Sequence, residues 1–298
     1  MEIQNKNTRI DSASDRFKQI SNPSKYHYHQ KFKALPYWLE ECSKYFMYEA
    51  NNQLLKNYAY YKRGSVISVN FGVNEGSEFS NLHFAVVLDK KDSPKKRTLT
   101  VIPLTSKYKS GRLSLGKEIF NQTTTVMLSN IKSLQEENES LNTESAIVET
   151  ELKKLKKEII QNKQEVQEIN TKINSVKSSL QDNYSNQGFE QFLELCDQLI
   201  VKTAELKEIT SKINNLKSES IEISKKTEEC TKKTKRLEKV TNIYIKYNKN
   251  TFVRIEDITT ISKLRIHKIN EFDPSGRIRL SSEQMKSISD KLMQLYIS

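Results

Sequence analysis

Glycine and proline are scarce in this 298-residue chain, seven and five respectively, and their placement is more informative than their number. No proline lies between Pro103 and Pro274, and Gly188 is the lone glycine between Gly116 and Gly276. A stretch that long without helix breakers argues against a series of tight turns and allows very long helices. Cysteine is sparse too. Cys42, Cys196 and Cys230 are far apart, with no CxxC or Cys/His spacing to hold zinc or a disulfide framework, so they read as free thiols in a reducing compartment. No run of 18 apolar residues exists, and the polar start MEIQNKNTRIDSASDRFKQ lacks the apolar segment of a signal peptide. A soluble, cytoplasmic protein with no membrane partner is expected. Gly-x-Gly-x-x-Gly, Walker A and Gly-x-Ser-x-Gly motifs are absent, and neither a metal nor a cofactor is implied.

What is present divides in two. Apolar residues make up 36% and aromatics 8%, enough for a core in part of the chain only. Residues 123–240 carry 19 Lys and Arg against 20 Asp and Glu, which leaves 30 against 17 for the rest. The formal charge of +12 therefore sits outside 123–240. An excess on a compact domain fits a polyanion such as nucleic acid, or it only keeps that domain soluble.

Within 123–240 the apolar residues keep a heptad. Ile131, Leu152, Ile159, Val166, Ile173 and Leu180 hold one position, and Leu134, Leu141, Val148, Leu155, Ile169 and Val176 fall three residues later. After the polar run DNYSNQG at 182–188 the repeat resumes with Phe192, Leu199, Leu206 and Ile213, partnered by Leu195, Ile209, Leu216, Ile223, Cys230 and Leu237. Two equal arms around one short turn predict an antiparallel coiled-coil hairpin with arms of about 80 Å and its tip near 182–188. An intermolecular coiled coil is the alternative. Asn138, Ser145 and Asn162 interrupt the first seam, and Ser220, Thr227 and Thr234 the second, so the half away from the tip is the weaker one.

The flanks have a shorter rhythm. SVISVNF at 65–71, FAVVL at 84–88 and LTVIPL at 99–104 read as strands, as do IYIKY at 243–247, TFVRI at 251–255 and RIRL at 277–280. SSEQ at 281–284 opens a last helix, with Met285, Ile288, Leu292 and Leu295 on its apolar face. Residues 1–30 read as polar and mobile, and 37–60 as one helix. Tyr58, Tyr60 and Tyr61 before Lys62 and Arg63 fit either base stacking or packing of that helix. The expectation is an α+β protein with three parts: an N-terminal segment at 1–61, a small β-barrel built from 62–122 and 241–298, and a hairpin at 123–240 inserted between its strands.

Three blocks in order carry a resemblance: KRGSVISVNFGVNEGSE at 62–78, AVVL at 85–88 followed by TVIPLTSK at 100–107, and IEDITTISKLRI at 255–266. Together they resemble the MazF/PemK family of toxin endoribonucleases over about 62–122 and 243–297. The resemblance implies an SH3-like barrel, commonly a homodimer, that cuts single-stranded RNA without metal. The products would be a 2′,3′-cyclic phosphate and a 5′-hydroxyl. It also implies an antitoxin partner, with the hairpin or the 1–60 segment open to acting as an inhibitor in cis. Thr105 falls on the family's catalytic threonine, and Ser77 and Glu78 on its substrate loop. The family's catalytic arginine position is His83 here. Histidine can move a proton near neutral pH but lacks the permanent charge and fork of arginine. Two outcomes stay open: a catalytic trio of His83, Thr105 and Glu78, or a barrel that binds RNA or protein without cutting. Phe79 and Asp257 depart from the glutamines common in the family. Lys62, Arg63, Lys107, Lys263 and Arg265 are the expected phosphate contacts.

Overall fold

The computed structural model describes residues 2–22 and 30–297, with side chains from residue 5 onward. The chain divides into two compact units, residues 1–130 with 236–298, and residues 131–235. It is an α+β protein with an antiparallel sheet and two long helices. Among the described residues no helix is long and apolar enough to cross a membrane.

The first unit holds six strands: β1 (Val66–Asn70), β2 (Leu82–Val87), β3 (Thr98–Thr105), β4 (Leu113–Gly116), β5 (Thr251–Val253) and β6 (Thr259–Ser262). The order is β1-β2-β3-β5-β4, and β6 also pairs with β3. One edge of β3 meets β2, with Val101 opposite Val87. The other edge meets β6 from Thr98 to Val101 and β5 at Leu104 and Thr105. Between β5 and β6 the chain makes a one-turn 3-10 helix, Ile255–Asp257. Pro103 lies opposite that interruption, and its carbonyl accepts the Arg254 N–H at 2.9 Å. In a strand the N–H and C=O of one residue point the same way, so the N–H that proline lacks falls where the ladder is already broken.

The apolar runs of β1 to β3 are continuous because both faces of the sheet are buried. Val66, Val86, Ile102, Leu104 and Val253 pack on one face with Leu115, Ile119, and Met285 and Ile288 of α5 (Ser282–Tyr296). Ile67, Val69, Ala85, Val87, Leu99 and Val101 pack on the other with Tyr61 and Phe71. The start of α5 is held by a reciprocal cap: Ser281 Oγ accepts the Gln284 N–H at 3.2 Å, and the Gln284 side chain accepts the Ser281 N–H at 2.9 Å.

Four expectations are corrected. Residues 2–20 form a helix, α1 (Glu2–Ile20), where a mobile segment was expected; most of its described side chains are exposed, so a polar surface masks helical propensity. The helix expected over 37–60 is α2 (Leu35–Ala50), which ends sooner. Residues 243–247 are not a strand. Helix α4 (Asn186–Tyr244) runs on to a 3-10 turn at Ile245–Tyr247, because Val240 and Tyr244, one helical turn apart, bury against Met127. Five residues are too few to tell a period of 2 from 3.6. RIRL contributes only an isolated bridge, Ser65 to Arg279, although Ile278 and Leu280 do enter the core.

In the second unit α3 (Glu118–Asp182) and α4 run in opposite directions. Leu155 packs with Ile209 and Ile213, and Leu152 and Leu216 join that cluster. Lys202 pairs with Glu165 at 2.9 Å, and Lys233 with Glu137 at 2.9 Å. Asn162 is buried there, and its Oδ1 has no hydrogen-bond partner.

Candidate active site

His83 lies near the start of β2, opposite Val69 of β1, and Thr105 ends β3 beside Phe252 of β5. Both line one cavity of about 230 Å³ in the first unit, together with Lys107. Thr105 is buried, and its Oγ1 accepts the Lys107 backbone N–H at 3.1 Å, which leaves its own O–H proton free to donate. The His83 ring is half-buried and stands 4.4 Å from the Phe79 ring. Burial, reinforced by the positive charges of Arg254 and Lys107, pushes the His83 pKa below the ordinary histidine value of 6.5. The ring is therefore neutral at pH 7 and able to accept a proton.

Arg254 is the residue that sequence reading missed. Its guanidinium lies over Phe79, the ring that His83 packs against, with Cζ 4.6 Å from the ring centre. Asp257 accepts its Nε–H, and Glu256 stands 3.8 Å away. Arg112 donates to Glu256 Oε1 at 2.6 and 2.9 Å and to the Lys107 carbonyl at 3.1 Å. Burial opposes charge on Glu256, but its own backbone amide, Arg112 and Arg254 outweigh that and hold the carboxyl below its usual range. An arginine absent at position 83 is thus present from the far side of the insertion, pinned by two carboxylates. Nothing in TFVRI marks Arg254 out, because the ring that orients it lies on the loop before β2.

The roots of the two long helices wall the same cavity: Phe120 and Thr123 from α3, and Tyr244, Lys246 and Tyr247 from the end of α4 and the turn after it. Phe84 packs 5.6 Å from Tyr244 and 5.1 Å from Tyr247. Tyr244 donates to Asp273 Oδ1 at 2.6 Å, and burial, followed by the charge of Asp273 and this hydrogen bond, raises its pKa. The hydroxyl of Thr123 is buried with no hydrogen-bond partner.

The remaining expected residues scatter. Ser77 and Glu78 are exposed in the loop before β2. Glu78 lines a shallow groove with Phe79, Asp257 and Arg265 and not the His83 cavity. Lys62 is exposed, whereas Arg63 is tied to the Leu88 carbonyl and to Ser289 Oγ at 3.0 Å. Arg265 donates to the Phe71 carbonyl at 3.1 Å. Lys263 does not fit a phosphate contact: its side chain is 2% exposed, and its ammonium is used up by Asp92 at 2.7 Å and the Ala59 and Ser93 carbonyls. No group of three His, Cys, Asp or Glu among the described residues is arranged to hold a metal ion.

Residues 62–176 match the family model described as PemK-like, MazF-like toxin of type II toxin-antitoxin system. This chain carries a PemK-like toxin domain. No curated protein and no solved structure matched it. The match to the PemK-like family takes in β1 to β4 and much of α3 and does not extend to 243–297. β5 and β6 nonetheless complete the same sheet, each hydrogen-bonded to β3 of the matched segment.

Proposed function

We propose that the PemK-like domain is an SH3-like barrel that cleaves single-stranded RNA as a cytoplasmic, metal-independent toxin. The observation that carries this reading is the convergence of His83, Thr105 and Lys107 on one cavity, with the Arg254 guanidinium held across Phe79. Neutral His83 takes the 2′-hydroxyl proton, and the 2′-oxygen attacks the adjacent phosphorus. The Thr105 hydroxyl and Arg254 stabilise charge on the non-bridging oxygens. The Lys107 ammonium protonates the leaving 5′-oxygen, giving a 2′,3′-cyclic phosphate and a 5′-hydroxyl. Glu78 and Ser77 act as substrate-loop contacts outside the cavity, and Lys62 as a peripheral phosphate contact. A mixed RNA incubated in chelator is expected to be cut by the protein and spared by the His83→Ala variant. Intact RNA with both proteins would refute the reading. Binding without cleavage would favour the second reading, a recognition module, for which the contact of His83 with Phe79 speaks.

The proposal extends to regulation. Type II toxins are held by an antitoxin, and a homodimer is the usual toxin form in the resembled family. The helical roots in the cavity wall support the long helices as the regulatory element, acting in cis or through a partner. Joining residue 130 to 236 through a short Gly/Ser linker keeps those roots. Cleavage and growth inhibition are expected to change several-fold in that variant, and identical values in both proteins would remove the regulatory role.

A further inference from the structure

A second aromatic-lined cavity in the first unit is larger than the one that holds His83. Helix α2 lies beside β1, where Asn70 Nδ2 donates to Glu41 Oε2 at 2.7 Å. It leaves a cavity of about 360 Å³ between itself and the sheet. Rings from two segments line it, Trp38, Tyr45 and Phe46 from α2 and Tyr58 from the stretch after it, and Arg97 and Arg265 supply two guanidinium groups. Only Leu35 of α2 is fully buried, so these rings are held in place without being used up in a core. Arg97 is exposed, with no side-chain hydrogen bond or ion pair to a described residue, while Arg265 is fixed by the Phe71 carbonyl with most of its N–H donors left over. The wall also holds Glu41 and Glu49, the first already engaged by Asn70.

This cavity is connected to the candidate active site through named side chains. Phe79 touches His83 and lines the shallow groove of about 220 Å³ in which Arg265 also stands, and Arg265 in turn lines the cavity under α2. The path His83, Phe79 with Arg254 above it, Arg265, then Trp38 and Tyr45 combines rings and guanidinium groups. That combination is what a single strand needs, since bases of any sequence stack on rings while phosphates follow the positive charge. A cavity of this size suits a planar heterocycle.

We infer that the cavity under α2 is a nucleobase-stacking subsite for a nucleotide of the RNA strand remote from the scissile phosphate. The inference rests on the RNA reading above and adds to it a site whose rings lie outside the PemK-like match, one that makes binding depend on substrate length. A trinucleotide seated at His83 would not reach it; a longer strand would.

Trp38 is the one tryptophan in the sequence, so the site reports on itself. The full-length protein is titrated with a random-sequence RNA of about 12 nucleotides carrying 2′-O-methyl groups throughout, which removes the attacking hydroxyl, while Trp38 emission is followed. Saturable quenching by the long probe and none by a trinucleotide pool is expected. Tyr45→Ala should weaken the long probe by about 5- to 100-fold, the range of one lost base stack. Arg97→Gln, a change at an exposed side chain, should weaken it several-fold. Cleavage of natural RNA with no response from Trp38 would overturn the subsite and leave the nuclease standing. Quenching with no cleavage would keep the subsite and remove the nuclease. Quenching by an apolar peptide but not by RNA would overturn the subsite in favour of a protein partner.

Discussion

Replacing Lys263 by methionine removes one charge from an ion pair whose two side chains are 2% and 0% exposed. In the native protein the ammonium donates to both Asp92 oxygens, at 2.7 and 2.8 Å, and to the Ala59 and Ser93 carbonyls at 3.0 and 3.1 Å. Methionine fills the volume but leaves the Asp92 carboxylate buried with only the Tyr61 N–H, at 2.9 Å, and the Ser93 amide to satisfy it. Breaking one side of such a pair costs about 3–5 kcal/mol. For a unit of roughly 150–250 residues each kcal/mol lowers Tm by about 2–4 °C, so a fall of about 6–20 °C is expected. Trp38 emission is the assay, because that residue lies in the same unit whereas far-ultraviolet dichroism is dominated by the long helices. Removing both partners in Lys263→Met with Asp92→Leu should recover most of the loss. Acid acts through the same pair. Burial raises the Asp92 pKa, but the Lys263 hydrogen bond, the Tyr61 and Ser93 amides and the Lys263 charge outweigh it, so the net shift is downward. Its stabilisation is therefore complete above the ordinary carboxylate range and lost as pH falls through the depressed value. An unchanged Tm with weakened RNA binding in Lys263→Met would refute the structural role and restore the phosphate contact.

Other outcomes follow from the site and the helices. The acid limb of kcat/KM should lie below the ordinary histidine range, because burial, Arg254 and Lys107 all disfavour protonated His83. Arg254→Gln removes one of those charges, so the limb should move to higher pH while kcat falls about 10²–10³-fold; a pH–rate series measures both. Asn162→Leu should stabilise the helical unit by about 1–2 kcal/mol in urea unfolding followed by dichroism, since a buried amide oxygen without a partner is replaced by an apolar seam residue. Gly72→Ala should cost about 1–3 kcal/mol and shift Trp38 emission, because φ is +86° and the new Cβ would lie 2.4 Å from the indole Nε1.

Local pattern determined a good deal of this protein. The missing glycines and prolines, with apolar residues every three to four positions, specify helices whatever surrounds them, and α3 and α4 are where that signal ran longest. The blocks at 62–78 and 100–107 carried enough fixed spacing to suggest the family, and a serine three residues before Gln284 is a cap in any context. Tertiary structure decided what spacing cannot encode. Lys263 and Lys107 are both lysines next to family motifs, yet one is buried against Asp92 and the other faces the His83 cavity, because burial depends on which distant segment covers a residue. Arg254 meets Phe79 only because β5 returns to β3 after the whole helical insertion. Glu78 is near His83 in sequence but turns into a different groove, since the loop before β2 directs it there. The sequence could name the chemistry available to the sheet, but only the pairing of its strands assembled His83, Thr105 and Lys107 around one cavity, with Arg254 across Phe79 beside it, because non-local contacts are set by how the strands close upon each other and not by the residues beside them.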